Sequence, residues 1–164
     1  MDDAISVGVL SLHNSKETKA ILNAVEDLGH TGVWLREDNL CVDIEDGSAT
    51  LDPNVDVIAN RLLLSKTEQP AELLGLALSL SRLRPMLNRP RNVLTAFHKF
   101  ATATALVDSG VQLPDATLAL DADRLNTEKG KYGDEVVYKT AIGTHGGGTW
   151  KVGADEQVNP RVGD

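Results

Sequence analysis

The sequence predicts an α/β protein: a small parallel-sheet domain, followed by an α+β unit. Three observations carry this. Short apolar runs alternate with helix-period segments over roughly the first 90 residues, a pattern that favours parallel strands joined by helical crossovers. Arg89-Pro90-Arg91 then interrupts the pattern. Beyond it come one long helical stretch and two strands separated by a run of glycines. The expected domains are therefore 1–88 and 89–164.

Each element has its own warrant. Residues 4–12 carry Ile5, Val7, Val9 and Leu10 and read as a buried strand. Asn14 is placed to cap the next helix, with Glu17 three residues on as in a capping box. Ile21, Val25 and Leu28 form its buried stripe and Gly29 ends it. Residues 32–36 form a second strand. Residues 40–45 and 48–51 form a hairpin turning at Asp46-Gly47, a pair suited to positive φ. Residues 55–59 make another buried strand, ending at Asn60-Arg61. Pro70 opens a helix over 70–83, at the position where its missing N–H costs nothing. Residues 86–88 form a further short strand.

In the second part, one helix is expected over 92–109, with Val93, Phe97, Phe100, Thr104 and Val107 on one face. Gly110 stops it and Pro114 prevents its resumption. Residues 115–120 read as a strand. Residues 121–134 are polar and read as a loop with a helical turn. Residues 135–140 form a strand, a glycine-rich turn covers 143–148, and 149–152 return as its partner. Residues 154–164 are polar and without periodicity.

Composition bounds the function. The chain has 164 residues, 41% of them hydrophobic, which suffices for a packed core. Its formal net charge is -8, so most of its surface repels a phosphate backbone and a general nucleic-acid role is excluded. A local basic pocket for one nucleotide is compatible with that charge. No apolar run approaches the length of a membrane span, about 20 residues. Met1-Asp2-Asp3 carries no basic n-region, so a reducing cytoplasm is the expected location. The single cysteine, Cys41, lies between Leu40 and Val42 and is expected as a buried strand residue.

The stretch richest in chemistry runs from Val136-Val137-Tyr138-Lys139 to Gly143-Thr144-His145-Gly146-Gly147-Gly148. A strand delivers a lysine and a glycine-rich turn follows. Glycines let the backbone approach a ligand closely, and successive turn N–H groups can point at phosphate oxygens. The lysine supplies a compact positive charge for the same phosphates. No Gly-Lys-Ser/Thr closes the loop into a helix, so this is not a Walker A loop. The plain alternative is a flexible hairpin with an incidental lysine. Lys99 lies about 200° around the helix from Phe97, directed to solvent or into a cleft. Arg61 follows a parallel strand at the edge where open α/β sheets bind ligands, and suits a carboxylate or phosphate; the alternative is a surface arginine. Asn14 and Ser15 sit at the same edge, after the first strand, with His13 beside them. His30, His98 and His145 show no metal-ligand spacing with each other or with Cys41. Asp43, Glu45 and Asp46 read as a solvated hairpin.

Taken in order, these segments resemble the ATP-grasp superfamily, and within it the RimK-like glutamate ligases. Asp56-Val57-Ile58-Ala59-Asn60-Arg61 is similar to the strand ending in arginine in the family's first domain. Met86-Leu87-Asn88 is similar to the short strand before the domain boundary. Lys99 and then Gly110-Val111-Gln112-Leu113-Pro114-Asp115-Ala116-Thr117 resemble the stretch opening the ATP-grasp domain. Lys139 and the glycines after it resemble the family's phosphate lysine and flexible loop. His98 stands where the family usually has aspartate.

The resemblance implies a pre-ATP-grasp domain followed by the first, incomplete ATP-grasp subdomain. It implies that Lys139, Lys99, Thr144, His145, Gly146, Gly147 and Gly148 contact ATP phosphates, with Arg61, Asn14 and Ser15 as substrate-binding candidates. The implied reaction activates a carboxylate as an acyl phosphate, which the amine of an amino-acid co-substrate attacks. The Mg²⁺ ligands are expected in a C-terminal half that this sequence lacks, supplied by a continuation or a partner chain. Ligation by this chain unaided is not expected. The competing expectations are a non-catalytic nucleotide-binding or interaction module that forms a homo-oligomer through its sheet, and a free-standing flavodoxin-like domain. The last leaves Lys139 and its loop without a role.

Overall fold

The computed structural model describes residues 3–143 and 148–158. The chain divides into two compact units, Met1–Val93 and Leu94–Asp164. The first is built on a four-stranded parallel sheet. β1 (Ser6–Leu10), β2 (Thr31–Leu35), β5 (Val57–Asn60) and β6 (Met86–Leu87) lie in the order β2-β1-β5-β6. α1 (Lys16–Asp27) connects β1 to β2, and α2 (Pro70–Leu83) connects β5 to β6. β3 (Cys41–Glu45) and β4 (Ser48–Asp52) form a separate antiparallel hairpin.

Burial explains why β1 is central. Val9 and Leu10 are fully buried, with Leu35, Val55, Ile58 and Leu80 around them. Gly8 is required by the packing: a Cβ there would meet Leu35 Cδ1 at 2.6 Å and Val55 Cγ2 at 3.0 Å. The sheet is also tied at both ends by polar side chains. At the start of β1, Asp56 Oδ2 accepts from the Ser6 N–H at 2.7 Å and from its hydroxyl at 2.8 Å. At the far end, Asn60 and Asn88 each donate an amide N–H to the other's carbonyl at 3.1 Å. These bonds lengthen the two-residue pairing of β5 with β6, Ile58 to Met86 and Ala59 to Leu87.

Three expectations for this unit are corrected. Ser15, not Asn14, caps α1; its hydroxyl accepts from the Thr18 N–H at 3.1 Å, which places the cap one residue later. Leu28 is not part of the buried stripe. It is the C-cap of α1 and is 75% exposed, while Thr18 is the buried residue of the helix. Cys41 is exposed, because its hairpin stands apart from the parallel sheet and the strand alternation turns Val42 inward instead. The hairpin turn itself is as expected, with φ of 50° at Asp46 and 75° at Gly47.

The second unit contains α4 (Lys99–Leu106), α5 (Ala122–Lys129), and an antiparallel pair, β7 (Glu135–Lys139) and β8 (Thr149–Gly153). It follows α3 (Pro90–Phe97), within which the division between the units falls. The single long helix expected over 92–109 is therefore two. His98 breaks it with an extended backbone, φ -93° and ψ 108°. The break has a physical cause. His98 forms an antiparallel bridge with Ile142, and the Lys99 N–H donates to Ala141 O at 2.8 Å. The His98 imidazole then caps α4 by accepting from the Ala101 N–H at 3.1 Å.

Residues 115–120, expected as a strand, pair with no strand; Leu120 is fully exposed and Leu118 is 47% exposed. The polar stretch 121–134 holds more helix than expected. Asp121 caps α5 through the Arg124 N–H at 2.9 Å, and the buried Glu128 pairs with both Arg124 and Lys131. Asn126 holds the chain beyond β8, accepting from the Val158 N–H at 2.7 Å and donating to its carbonyl at 3.0 Å. The stacked rings of Tyr138 and Trp150, 5.6 Å apart, join β7 to β8. No helix is long and apolar enough to cross a membrane among the described residues.

Candidate functional site

The second unit contains a cavity of about 850 Å³, and Lys99 and Lys139 both line it. Two different elements deliver them. Lys99 is the first residue of α4, immediately after the break at His98. Lys139 is the last residue of β7, where the strand gives way to the glycine-rich turn. Phe100, Leu113, Val137 and Tyr138 supply apolar wall beside the two cations.

The two lysines are held differently. The Lys99 side chain is half-buried, and its Nζ donates to Thr140 O at 2.9 Å and Gly143 O at 3.3 Å. It thus binds the start of the turn to the start of α4. Lys139 is exposed. Neither lysine has a carboxylate partner among the described residues. Asp115, Glu128 and Glu135 line the same cavity, but none is paired with either lysine among the described residues, which leaves both ammonium groups open to an anion.

The far end of the turn is equally constrained. The Thr140 N–H donates to Gly148 O at 2.8 Å, closing the base of the turn beyond the pairing of Lys139 with Thr149. Gly148 has φ of +75°, and a Cβ there would run into the Thr140 side chain. Glycine is thus required for its conformation and for its space. Thr144, His145, Gly146 and Gly147 lie outside the described residues.

The remaining candidates belong to the first unit. Arg61 directly follows β5; its N–H donates to Leu10 O at 2.9 Å, and its side chain is half-buried. Ser15 spends its hydroxyl on the cap of α1, and Asn14 is exposed. The Glu17 carboxyl is held below its ordinary value by its own backbone N–H first, then by the Ser15 hydroxyl, with a smaller contribution from Arg61. No group of three or more His, Cys, Asp or Glu suited to a metal ion exists among the described residues. Those residues do not fit a Mg²⁺ site.

Sequence reasoning missed the part played by Thr140, Ala141 and Gly143. Their carbonyls receive the ammonium and the backbone N–H of Lys99. No side-chain pattern announces this, because the acceptors are backbone atoms. The available signal was the joint presence of a helix-start lysine and a post-strand glycine turn.

No protein-family model matches the chain, and no curated protein does so. Solved structures do. An ATP-grasp ligase, PsnB, complexed with minimal precursor, Mg and ADP, superposes with a TM-score of 0.61 at 16% identity, over 94% of this chain and 58% of that one. A RimK domain ATP-grasp protein from Sphaerobacter thermophilus gives 0.65 at 17% identity, over 90% and 55%. A D-alanyl-alanine synthetase A from Vibrio cholerae gives 0.55 at 13% identity, over 92% and 52%. The chain therefore has an ATP-grasp fold, and it spans a little over half the length of the structures it matches.

Proposed function

We propose that this chain forms the front part of an ATP-dependent carboxylate–amine ligase, and that its second unit grips the triphosphate of ATP. The observation that carries this reading is the meeting of Lys99 and Lys139 on one cavity, each without a carboxylate partner among the described residues. On this reading the first unit is the pre-ATP-grasp domain and the second is the leading ATP-grasp subdomain.

The residues divide the work. Lys139 is exposed at a strand end and offers three donors and a full charge to phosphate oxygens. Lys99 is spent partly on Thr140 O and Gly143 O, so it sets the path of the turn and adds its charge from behind. The turn, including Thr144, His145, Gly146, Gly147 and Gly148, closes over the phosphates and excludes water. In the reaction, a carboxylate oxygen attacks the γ-phosphorus and ADP leaves. An amine, here assigned to an amino-acid co-substrate of the glutamate type, then attacks the acyl carbon. Inorganic phosphate departs and the amine loses a proton. The lysines contribute by stabilising negative charge spread over the transferring phosphoryl group. Mg²⁺ enters this reading only as a companion of the nucleotide, since the described residues hold no group of carboxylates, His or Cys suited to ligate it.

The test is calorimetric titration of ATP into the chain, alone and with a polypeptide supplying the rest of the fold. Lys139→Ala is expected to weaken ATP about tenfold or more, the usual size for a lost charge-assisted phosphate contact. Unchanged affinity in both settings overturns the site. The Tm of the variant should stay within a degree or two, since the Lys139 side chain is exposed.

A further inference from the structure

We propose that His98 is a positioning residue: its neutral imidazole fixes the first turn of α4, and so holds Lys99 and the start of the glycine turn in the form that receives an anion. The identity of the anion rests on the nucleotide reading; the positioning does not.

His98 stands at a junction. Its extended backbone bridges Ile142, and the next residue, Lys99, donates its N–H to Ala141 O at 2.8 Å. Lys99 is also the first residue of α4, and its Nζ reaches Thr140 O at 2.9 Å and Gly143 O at 3.3 Å. The same residue is thus bound to the 140–143 segment by its backbone and again by its side chain. The direction of that side chain is set by the first turn of α4. The His98 ring closes that turn, its Nδ1 accepting from the Ala101 N–H at 3.1 Å. The Thr102 N–H and hydroxyl donate to His98 O at 2.9 Å and 3.3 Å.

The cap carries a condition. A backbone amide can only donate, so Nδ1 must keep its lone pair and the ring proton belongs on Nε2. A second proton removes the acceptor, because both nitrogens of an imidazolium are donors. The N–H of the half-buried Ala101 then loses its partner, and a positive charge stands at a helix N-terminus, where the backbone dipole opposes it. Serine and asparagine caps meet no such condition. Histidine does, since its charge changes between about pH 5 and pH 8.

The neighbours of the ring offer no counter-charge. Residues 94–97 at the end of α3 and residues 140–143 contain no titratable side chain. Lys99 on α4 and Lys139 at the end of β7 are the charged groups beside them, and no ion pair reaches His98 among the described residues. Protonation of the ring therefore has two opposite effects on a bound anion. The added charge attracts it, while loss of the cap loosens Lys99 and the turn. Lys99 lines the cavity and His98 does not, so positioning outweighs attraction and affinity falls with pH.

The experiment follows the 15N-labelled full chain from about pH 8 to about pH 5.5, the range in which histidine changes charge. The His98 ring signals and the amides of Ala101, Lys99 and Gly143 are expected to move on one common curve, which His98→Asn abolishes while keeping a cap. Calorimetry with ATP gives the second reading, as the ratio of wild type to His98→Asn at each pH, which cancels protonation of ATP itself. That ratio of affinities should fall about fivefold across the range, the factor that loss of one helix cap corresponds to. His98→Ala should bind weakly throughout and show no fall of its own against His98→Asn. Absence of the common curve, or a ratio that stays level or rises as pH falls, overturns the proposal. If ATP binds at no pH, the nucleotide reading fails and the amides alone decide the positioning. The wild-type curve does so even if a variant folds poorly.

Discussion

Ser15 shows how one residue can settle where an element begins. Its hydroxyl accepts from the Thr18 N–H and also bonds the Thr18 hydroxyl at 3.1 Å, while Thr18 Oγ1 donates to the buried Ser11 at 3.2 Å. The start of α1 is thereby fixed to the end of β1. Ser15→Ala should cost about 1 kcal/mol, the usual loss of a helix cap, and Ser15→Asp should restore most of it. Urea unfolding checks this: the midpoint falls in the alanine variant while the slope is unchanged. Equal stability of wild type and the alanine variant would show that the cap is replaced by water. The position of this cap was nearly legible in the sequence. Asn14 and Ser15 are both good capping residues, and only the backbone path out of β1 decides between them.

At the scale of elements, β1 and the break at His98 teach opposite lessons. β1 follows from local pattern alone, since a short apolar run flanked by polar residues has few other fates. Its glycine is explained only by packing. Gly8→Ala should destabilise by about 1–3 kcal/mol, because the new methyl meets Leu35 and Val55, which are themselves fully buried. Combining it with Leu35→Ala should cost less than the sum of the two changes, since the truncated leucine leaves room. Thermal unfolding of the four members of this cycle gives the coupling, and strict additivity would rule out the clash. The helix over 92–109 failed as one element although its periodicity is helical throughout. The Lys99 N–H found its partner in Ala141 O, beside the bridge of His98 to Ile142, and such long-range partners are invisible to a local pattern; the His98 imidazole then takes the Ala101 N–H. The reverse happened at 115–120, where the apolar run is real but no strand receives it, so Leu118 and Leu120 stay exposed.

Across the whole molecule, acid stability is carried by carboxylates in both units. Asp56 is held below its ordinary value by the Ser6 N–H and then the Ser6 hydroxyl, and Glu128 by Lys131 first and then by Arg124. Glu17 is lowered as well. A folded-state pKa that is depressed adds stability above the unfolded value, and that stability is lost as pH falls through the folded one. The ordinary values are 3.8 for Asp56 and 4.5 for Glu17 and Glu128. These groups should therefore leave the Tm flat from about pH 7 to about pH 5 and lower it progressively below about 4.5. Asp56→Asn and Glu128→Gln should each start less stable at neutral pH and show a shallower acid limb. A fall confined to pH 5–7 would assign the effect to other groups. By itself the sequence determined the parallel sheet, the 46–47 hairpin turn, the extent of α2, and the pairing of a post-strand lysine with a glycine turn. Those features rest on period, on φ preference and on neighbours a few residues apart. The tertiary structure alone decided that Lys99 reaches Thr140 and Gly143, that Cys41 faces outward, and that Arg61 Nε is buried without a partner among the described residues. Each depends on which distant backbone arrives beside the side chain, and chain distance carries no record of that.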